Sequence, residues 1–204
     1  MRTRIKICGL TSPKEAAYLP PSQVDFAGMV LFCEKSRRNI TIEEAAEIMK
    51  ALPREIKRAA VTVSPTLAQA ERIEEAGFDV LQVHGSLDKE ILSKVHIPII
   101  RAVNVKDRVP LFEEHPRISA YLFDAAAPGS GKSFDWACLK KIPARGRKFI
   151  LAGGLTPSNV GDAIRKVHPW VVDVSSGVEY DGERGKDPDK IKAFIHAVEE
   201  AEGK

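Results

Sequence analysis

Two residues of this 204-residue chain are placed to move protons. Cys8 closes the apolar run Ile5-Lys6-Ile7-Cys8 and is followed by Gly9, while Asp124 directly follows the run Ala120-Tyr121-Leu122-Phe123. A free cysteine commonly serves as a small buried hydrophobe, and an aspartate after a strand can cap a helix or pair with a lysine. Both stand at strand ends, however, and a thiol and a carboxyl facing each other across a cavity make an acid–base pair. A second chemistry is suggested by Gly153-Gly154, after the run 149–152, and by Ser175-Ser176-Gly177, after the run 171–174. Loops of this kind bind phosphate through backbone N–H groups, with glycine permitting the closest approach of the main chain. A glycine after a strand also serves simply to turn the chain, but two such loops at adjacent strands favour phosphate.

Other polar residues occupy comparable positions: Ser36 and Arg38 after the second run, His84 after the fourth and Arg101 near the end of the fifth. The cluster Lys35, Arg37 and Arg38 reads as a solvated turn or a local anion site. His84 is as readily a hydrogen-bonded structural group as a ligand contact. Lys6, Gln82 and Asp173 fall inside runs, where inward-pointing polar groups need partners. Asp173 is read as mainly structural, since it lies below the mouth. Cys33 and Cys138 have no constellation around them.

These residues sit on a regular frame. Eight apolar runs (5–8, 26–32, 59–63, 80–83, 98–103, 120–123, 149–152 and 171–174) are short and largely β-branched, as buried parallel strands should be. Helical patterns alternate with them. Thr41-Ile42-Glu43-Glu44 is a capping box opening a helix through Met49. Thr66 leads into 67–76, stopped by Gly77; Thr156-Pro157 starts a helix with Val160, Ala163, Ile164 and Val167 on one face; and Asp187-Pro188 opens the last helix. A doubly wound sheet and a closed barrel both fit strand–helix alternation. The dinucleotide glycine fingerprint is missing after the first run, and Gly-Ser-Gly-Lys at 129–132 lacks the spacing of a phosphate-binding P-loop. The expectation is therefore one (β/α)8-barrel domain, residues 1–204, with its active site at the C-terminal ends of the strands.

Composition narrows the function further. A charge of +3, from 31 basic and 28 acidic residues with no basic run among aromatics, suggests no nucleic-acid partner. Three cysteines with no repeated spacing imply neither a disulfide framework nor a zinc site. The apolar stretches are far short of the roughly 20 residues of a membrane span, and the N-terminus is strand-like, unlike a signal peptide. A cytoplasmic protein acting on a small molecule is expected, as monomer or homodimer.

Several segments together resemble the phosphoribosylanthranilate isomerase family of tryptophan biosynthesis. They are Lys6-Ile7-Cys8-Gly9-Leu10-Thr11, Ser36-Arg37-Arg38, Leu81-Gln82-Val83-His84-Gly85, Gly131-Lys132-Ser133-Phe134-Asp135-Trp136, Leu151-Ala152-Gly153-Gly154-Leu155 and Val172-Asp173-Val174-Ser175-Ser176-Gly177-Val178-Glu179. The resemblance implies an Amadori rearrangement without cofactor or metal, with Cys8 as general base and Asp124 as general acid. It implies further that Arg38 holds the substrate carboxylate, that Ser36 and His84 contact substrate, and that Gly153, Gly154, Ser175, Ser176 and Gly177 hold its phosphate. Val61-Thr62-Val63-Ser64 departs from the family in lacking a Gly and a Phe, and the loop 125–130 is short and plain, which bears on loop closure and substrate fit. Two rivals stand: the histidine-pathway aminoaldose isomerase, which resembles a two-aspartate system with a carboxylate where this chain has Cys8, and a barrel that binds a phosphate ligand without turnover.

Overall fold

A computed structural model describes residues 2–106, 108–112, 114–125, 133–141 and 149–203. Eight strands form the barrel: β1 (Arg4–Cys8), β2 (Phe26–Leu31), β3 (Lys57–Val63), β4 (Val80–His84), β5 (Ile99–Val105), β6 (Ile118–Ala125), β7 (Phe149–Leu151) and β8 (Val171–Val174). Every neighbouring pair is parallel and sequential, and β8 pairs with β1, so the sheet closes. All eight apolar runs are strands. A two-residue strand, Asn39–Ile40, pairs with Val30 and Leu31 of β2, just beyond the stretch of β2 that pairs with β1, and so brings the loop after β2 over the end of Cys8.

Five α-helices lie among the described residues: α1 (Ile42–Ala51), α2 (Leu67–Glu75), α3 (Lys89–Lys94), α4 (Val160–Val167) and α5 (Pro188–Ala201). The capping boxes at Thr41/Glu44 and Thr66/Gln69 are both formed, which satisfies orphan N–H groups at each helix start. The Thr156-Pro157 start does not hold. There Asn159 accepts from Thr156 N and donates to Gly154 O, folding 156–159 into a turn and delaying α4 to Val160. Only 3-10 turns stand at Pro13–Tyr18 and Trp136–Lys141.

Strand alternation sorts the side chains into two sets. Outward residues such as Ile7, Met29, Leu81, Val103, Phe123 and Val172 pack beneath the helices, against Ile48, Ile73, Ile191 and Phe194. Each such fully buried large side chain contributes about 1.5–3 kcal/mol. Inward residues Phe26, Ala59, Val80, Ala102, Leu122, Ile150 and Val171 plug the barrel interior. Above this plug the inward set turns polar.

Candidate active site

The inward positions one or two pleats above the plug are Lys6 and Cys8 on β1, Gln82 and His84 on β4, Asn104 on β5, Asp124 on β6 and Asp173 on β8. Most of them open onto a cavity of about 410 Å³ whose wall includes Cys8, Arg38, His84, Asp124, Gly153 and Ser176. Strands that run parallel deliver their C-terminal residues to one end of the barrel, which is why positions scattered from 8 to 176 converge. Ser36, Gly154 and Ser175 also line this cavity. The structure therefore brings nine of the ten expected site residues together. Gly177 stands apart: it packs on the loop after β7, where an added Cβ would come within 2.0 Å of Leu155 O. Its lack of a side chain lets the two loops touch.

Cys8 is 8% exposed, and burial pushes its thiol pKa up, against the pull of Lys6 and Lys186. Asp124, also 8% exposed, is raised to about 6 by burial and by the nearby Asp173 carboxylate. Its Oδ1 accepts from Ala125 N at 2.8 Å. Gly153 passes so close that an added Cβ would lie 2.6 Å from Ala125 N and 3.1 Å from Asp124 Oδ1, and its φ of +86° favours glycine independently.

His84 is neutral: burial, with Lys6 and Arg101, holds its pKa down at about 4. Its Nε2 lies 2.9 Å from Gln82 Nε2. Gln82 thereby braces the ring from one side, while Gln82 Oε1 and His84 Nδ1 are buried without a hydrogen-bond partner among the described residues. Arg101 faces outward rather than into the mouth. It donates to the carbonyls of Val83 and Gly85 and so braces the end of β4.

Arg38 is held from behind. Its Nε and Nη2 donate to the two oxygens of Glu179, at 2.5 and 3.0 Å, and Arg37 reaches the same carboxylate. The fully buried Lys186 donates to Glu179 Oε1 at 2.9 Å. Although burial opposes it, Arg38 and Lys186 hold the Glu179 pKa at about 2. The buried Lys186, the half-buried Arg38 and the exposed Arg37 thus share one carboxylate, leaving positive charge at the cavity wall. Ser36 shapes this loop by accepting from Arg38 N at 3.2 Å. Of the basic cluster Lys35, Arg37 and Arg38, only Arg38 lines the cavity; Lys35 and Arg37 are exposed.

The Ser175 hydroxyl donates to Cys8 O at 2.9 Å, so this residue offers an approaching anion its main chain, not its side chain. Gly154 follows Gly153 with a second left-handed φ, +63°. The N–H groups of Gly154, Ser176 and Gly177 find no acceptor among the described residues. Unpartnered N–H groups at a cavity wall, here those of Gly154 and Ser176, are suited to an anion. The loop 126–130, together with Gly131 and Lys132 of the fourth motif, lies outside the described residues.

The chain matches the N-(5'phosphoribosyl)anthranilate (PRA) isomerase family over residues 5–197. The chain belongs to that family. A relative from Streptococcus mutans named N-(5'-phosphoribosyl)anthranilate isomerase is 38% identical over 197 residues, 96% of this chain and 98% of that one. The crystal structure of phosphoribosyl anthranilate isomerase from Thermus thermophilus superposes with a TM-score of 0.84 at 30% identity, covering 97% of this chain and 99% of the other. A structure of the family enzyme in complex with reduced 1-(o-carboxyphenylamino)-1-deoxyribulose 5-phosphate matches with a TM-score of 0.80 at 32% identity, over 97% and 99% of the two chains.

Sequence reasoning passed over Glu179 and Lys186 and assigned Lys6 and Asp173 no chemistry. The signal for the last two was available: Lys6 shares the inward parity of Cys8, and a charge at such a position must meet a counter-charge. Gly28 was missed because its use is an absence. An added Cβ there would lie 2.8 Å from Cys8 Sγ and 3.1 Å from Cys8 Cα. Gly28→Ala is accordingly expected to displace the thiol and cut turnover by roughly 10²-fold, the cost typical of ångström-scale misplacement. Steady-state kinetics on the folded variant checks this.

Proposed function

We propose that this chain, as one barrel domain, rearranges N-(5-phosphoribosyl)anthranilate to 1-(2-carboxyphenylamino)-1-deoxyribulose 5-phosphate in tryptophan biosynthesis, with Asp124 as general acid and Cys8 as general base. The observation that carries the reading is one cavity joining that acid and that thiol to an arginine site and to two anion-binding loops. Asp124 protonates the furanose ring oxygen, opening the ring to a Schiff base. Cys8 then removes the proton from C2, and the resulting enolamine tautomerises to the ketone. The two steps need an acid held neutral and a base held ionised within reach of one bound substrate.

The substrate is anionic at both ends, and the cavity supplies for both. The guanidinium of Arg38 keeps its Nη1 free of partners among the described residues, since Nε and Nη2 are taken by Glu179. It receives the anthranilate carboxylate, a charge-assisted hydrogen bond. Val30, Val61 and Val63 form an apolar wall for the ring; Val63 is 48% exposed. Strand β3 thus meets the ring with Val61 and Val63, and Ser64 just beyond takes a positive φ of 48°. Gly153, Gly154 and Ser176 bind the phosphate through the main chain, Ser175 and Gly177 contribute from the same turn, and neutral His84 contacts substrate between the ends. A simple phosphate binder needs neither Cys8 nor Asp124, and a two-aspartate isomerase has no use for a thiol. Three free thiols suit the reducing cytoplasm.

The test is anthranilate fluorescence during incubation with freshly generated phosphoribosylanthranilate. Turnover by the wild-type protein is the expected result; a folded protein that binds without turning over would leave the phosphate-binding barrel in its place. The brace behind Arg38 makes a separate prediction. Glu179→Gln weakens all four charge-assisted hydrogen bonds that the carboxylate accepts, two from Arg38 and one each from Arg37 and Lys186, each worth about 1.5–3 kcal/mol. KM should rise by roughly tenfold with kcat changed far less. An unchanged KM in a folded variant would show that the carboxylate is held elsewhere.

A further inference from the structure

Below Cys8 lies an ion pair that the reaction steps above do not use. Lys6 and Cys8 are two residues apart on β1 and therefore face the same way, into the barrel. The register pairs Lys6 with Asp173 on β8, and Lys6 Nζ donates to Asp173 Oδ2 at 2.7 Å. Lys6 is fully buried. The same register sets Cys8 opposite Gly28 on β2. A Cβ added to Gly28 would lie 2.8 Å from Cys8 Sγ and 3.2 Å from Lys6 Nζ, so sulfur and ammonium flank one missing methyl group.

Such a pair needs a reason. Just below this pair the other strands fill the barrel interior with Ala59, Ala102, Leu122 and Ile150. Replacing a buried ion pair by apolar residues is often neutral or stabilising, so stability alone does not call for a lysine here. Asp173 also spends only one oxygen on Lys6, its Oδ1 being buried without a partner among the described residues. What the location does supply is a fixed positive charge beside a thiol.

We propose that Lys6 is a positioning residue for the catalytic thiol: its ammonium, held by Asp173, stabilises the Cys8 thiolate that takes the substrate proton. This rests on the reading of Cys8 as general base. In the step itself the C2 proton passes to Sγ and the C–H electron pair moves toward the Schiff-base nitrogen. Lys6 keeps its proton and Asp173 its charge throughout. The groups facing Cys8 act in both directions. Lys6 from β1 and Lys186 from beyond β8 favour the thiolate, and Asp173 from β8 opposes it. Asp124, His84, Arg38 and the Cys33 thiol complete the charged or titratable wall.

The test reads the thiol directly, without substrate. Iodoacetamide labelling of Cys8 is followed against pH by mass spectrometry of its peptide, with Cys138, which does not line this cavity, as the internal reference. An opposite charge within about 4–6 Å shifts a pKa by about 1–3 units. Lys6→Met should therefore move the labelling inflection of Cys8 upward by about one unit or more, slowing labelling about tenfold at a fixed pH below it. The Cys138 profile should not move. Should Lys6→Met fail to fold with Asp173 left unpaired, Lys6→Met with Asp173→Asn removes both charges. The shift should then be smaller but in the same direction, because Lys6 acts on the thiol more strongly than Asp173 does. An unchanged Cys8 profile in either folded variant overturns the proposal, even if Cys8 proves essential for turnover. A shifted profile combined with an active Cys8→Ser variant overturns the assignment of the base instead.

Discussion

Cys8→Ser should abolish measurable turnover, lowering kcat by about 10³-fold or more while substrate still binds. A positioned general base contributes roughly 10²–10⁴-fold, and the serine hydroxyl, far less acidic than a thiol, does not ionise at any working pH. The substitution is nearly isosteric. It leaves the Cys8 backbone, which accepts from Ser175 Oγ, and the packing against Val30 and Val61 in place. Binding should persist because the carboxylate and phosphate subsites are made of other residues. Single-turnover fluorescence separates the two quantities; a variant within tenfold of wild-type kcat would remove Cys8 from the mechanism.

Asp124→Asn should cost a comparable 10²–10⁴-fold and, in addition, change the shape of the pH profile. The productive enzyme has Asp124 protonated and Cys8 ionised. Asp124 titrates at about 6, while burial lifts Cys8 above the ordinary thiol range. The acid is therefore the stronger of the two, and the productive form is a minor one. Below pH 6 Asp124 is already protonated, so the rate climbs with pH as more thiolate forms. Above pH 6 the gain in thiolate is cancelled by loss of protonated Asp124, and kcat/KM should be level until Cys8 itself is ionised, after which it falls. In Asp124→Asn the cancelling loss is gone, so residual activity should keep rising through pH 6 up to the Cys8 inflection. A bend near pH 6 that survives in the variant would assign it to another group. The low yield of the productive form also explains why a cation beside Cys8 would matter: anything that eases thiol ionisation enlarges the active fraction directly.

How much of this was legible beforehand follows from which physical signals are local. All eight strands could be read from their apolar runs, because a strand buried on both faces must be apolar along its length. The two capping boxes could be read because each is closed by residues three apart. Thr156-Pro157 misled because Asn159, whose side chain reaches back to Gly154, makes a turn that propensity does not register. Arg101 misled because standing at a strand end does not tell which face of the strand a residue takes; its parity is outward, and its donors go to the carbonyls of β4.

By itself the sequence determined the family, the barrel, and the positions of Cys8, Asp124, Arg38 and the two loops, because parallel strands must deliver their C-terminal residues to one end. Only the tertiary structure decided which charges meet. Lys6 and Asp173 are separated by 167 residues and Arg38 and Glu179 by 141, so no local pattern links them, and their pairing is set by strand register and barrel closure. The same holds for Gly28, whose empty Cβ position has meaning only once β1 lies beside β2. A thiol and a carboxyl are legible as residue types. Their protonation is not, because desolvation and the neighbouring charges that shift it come into being when the barrel closes.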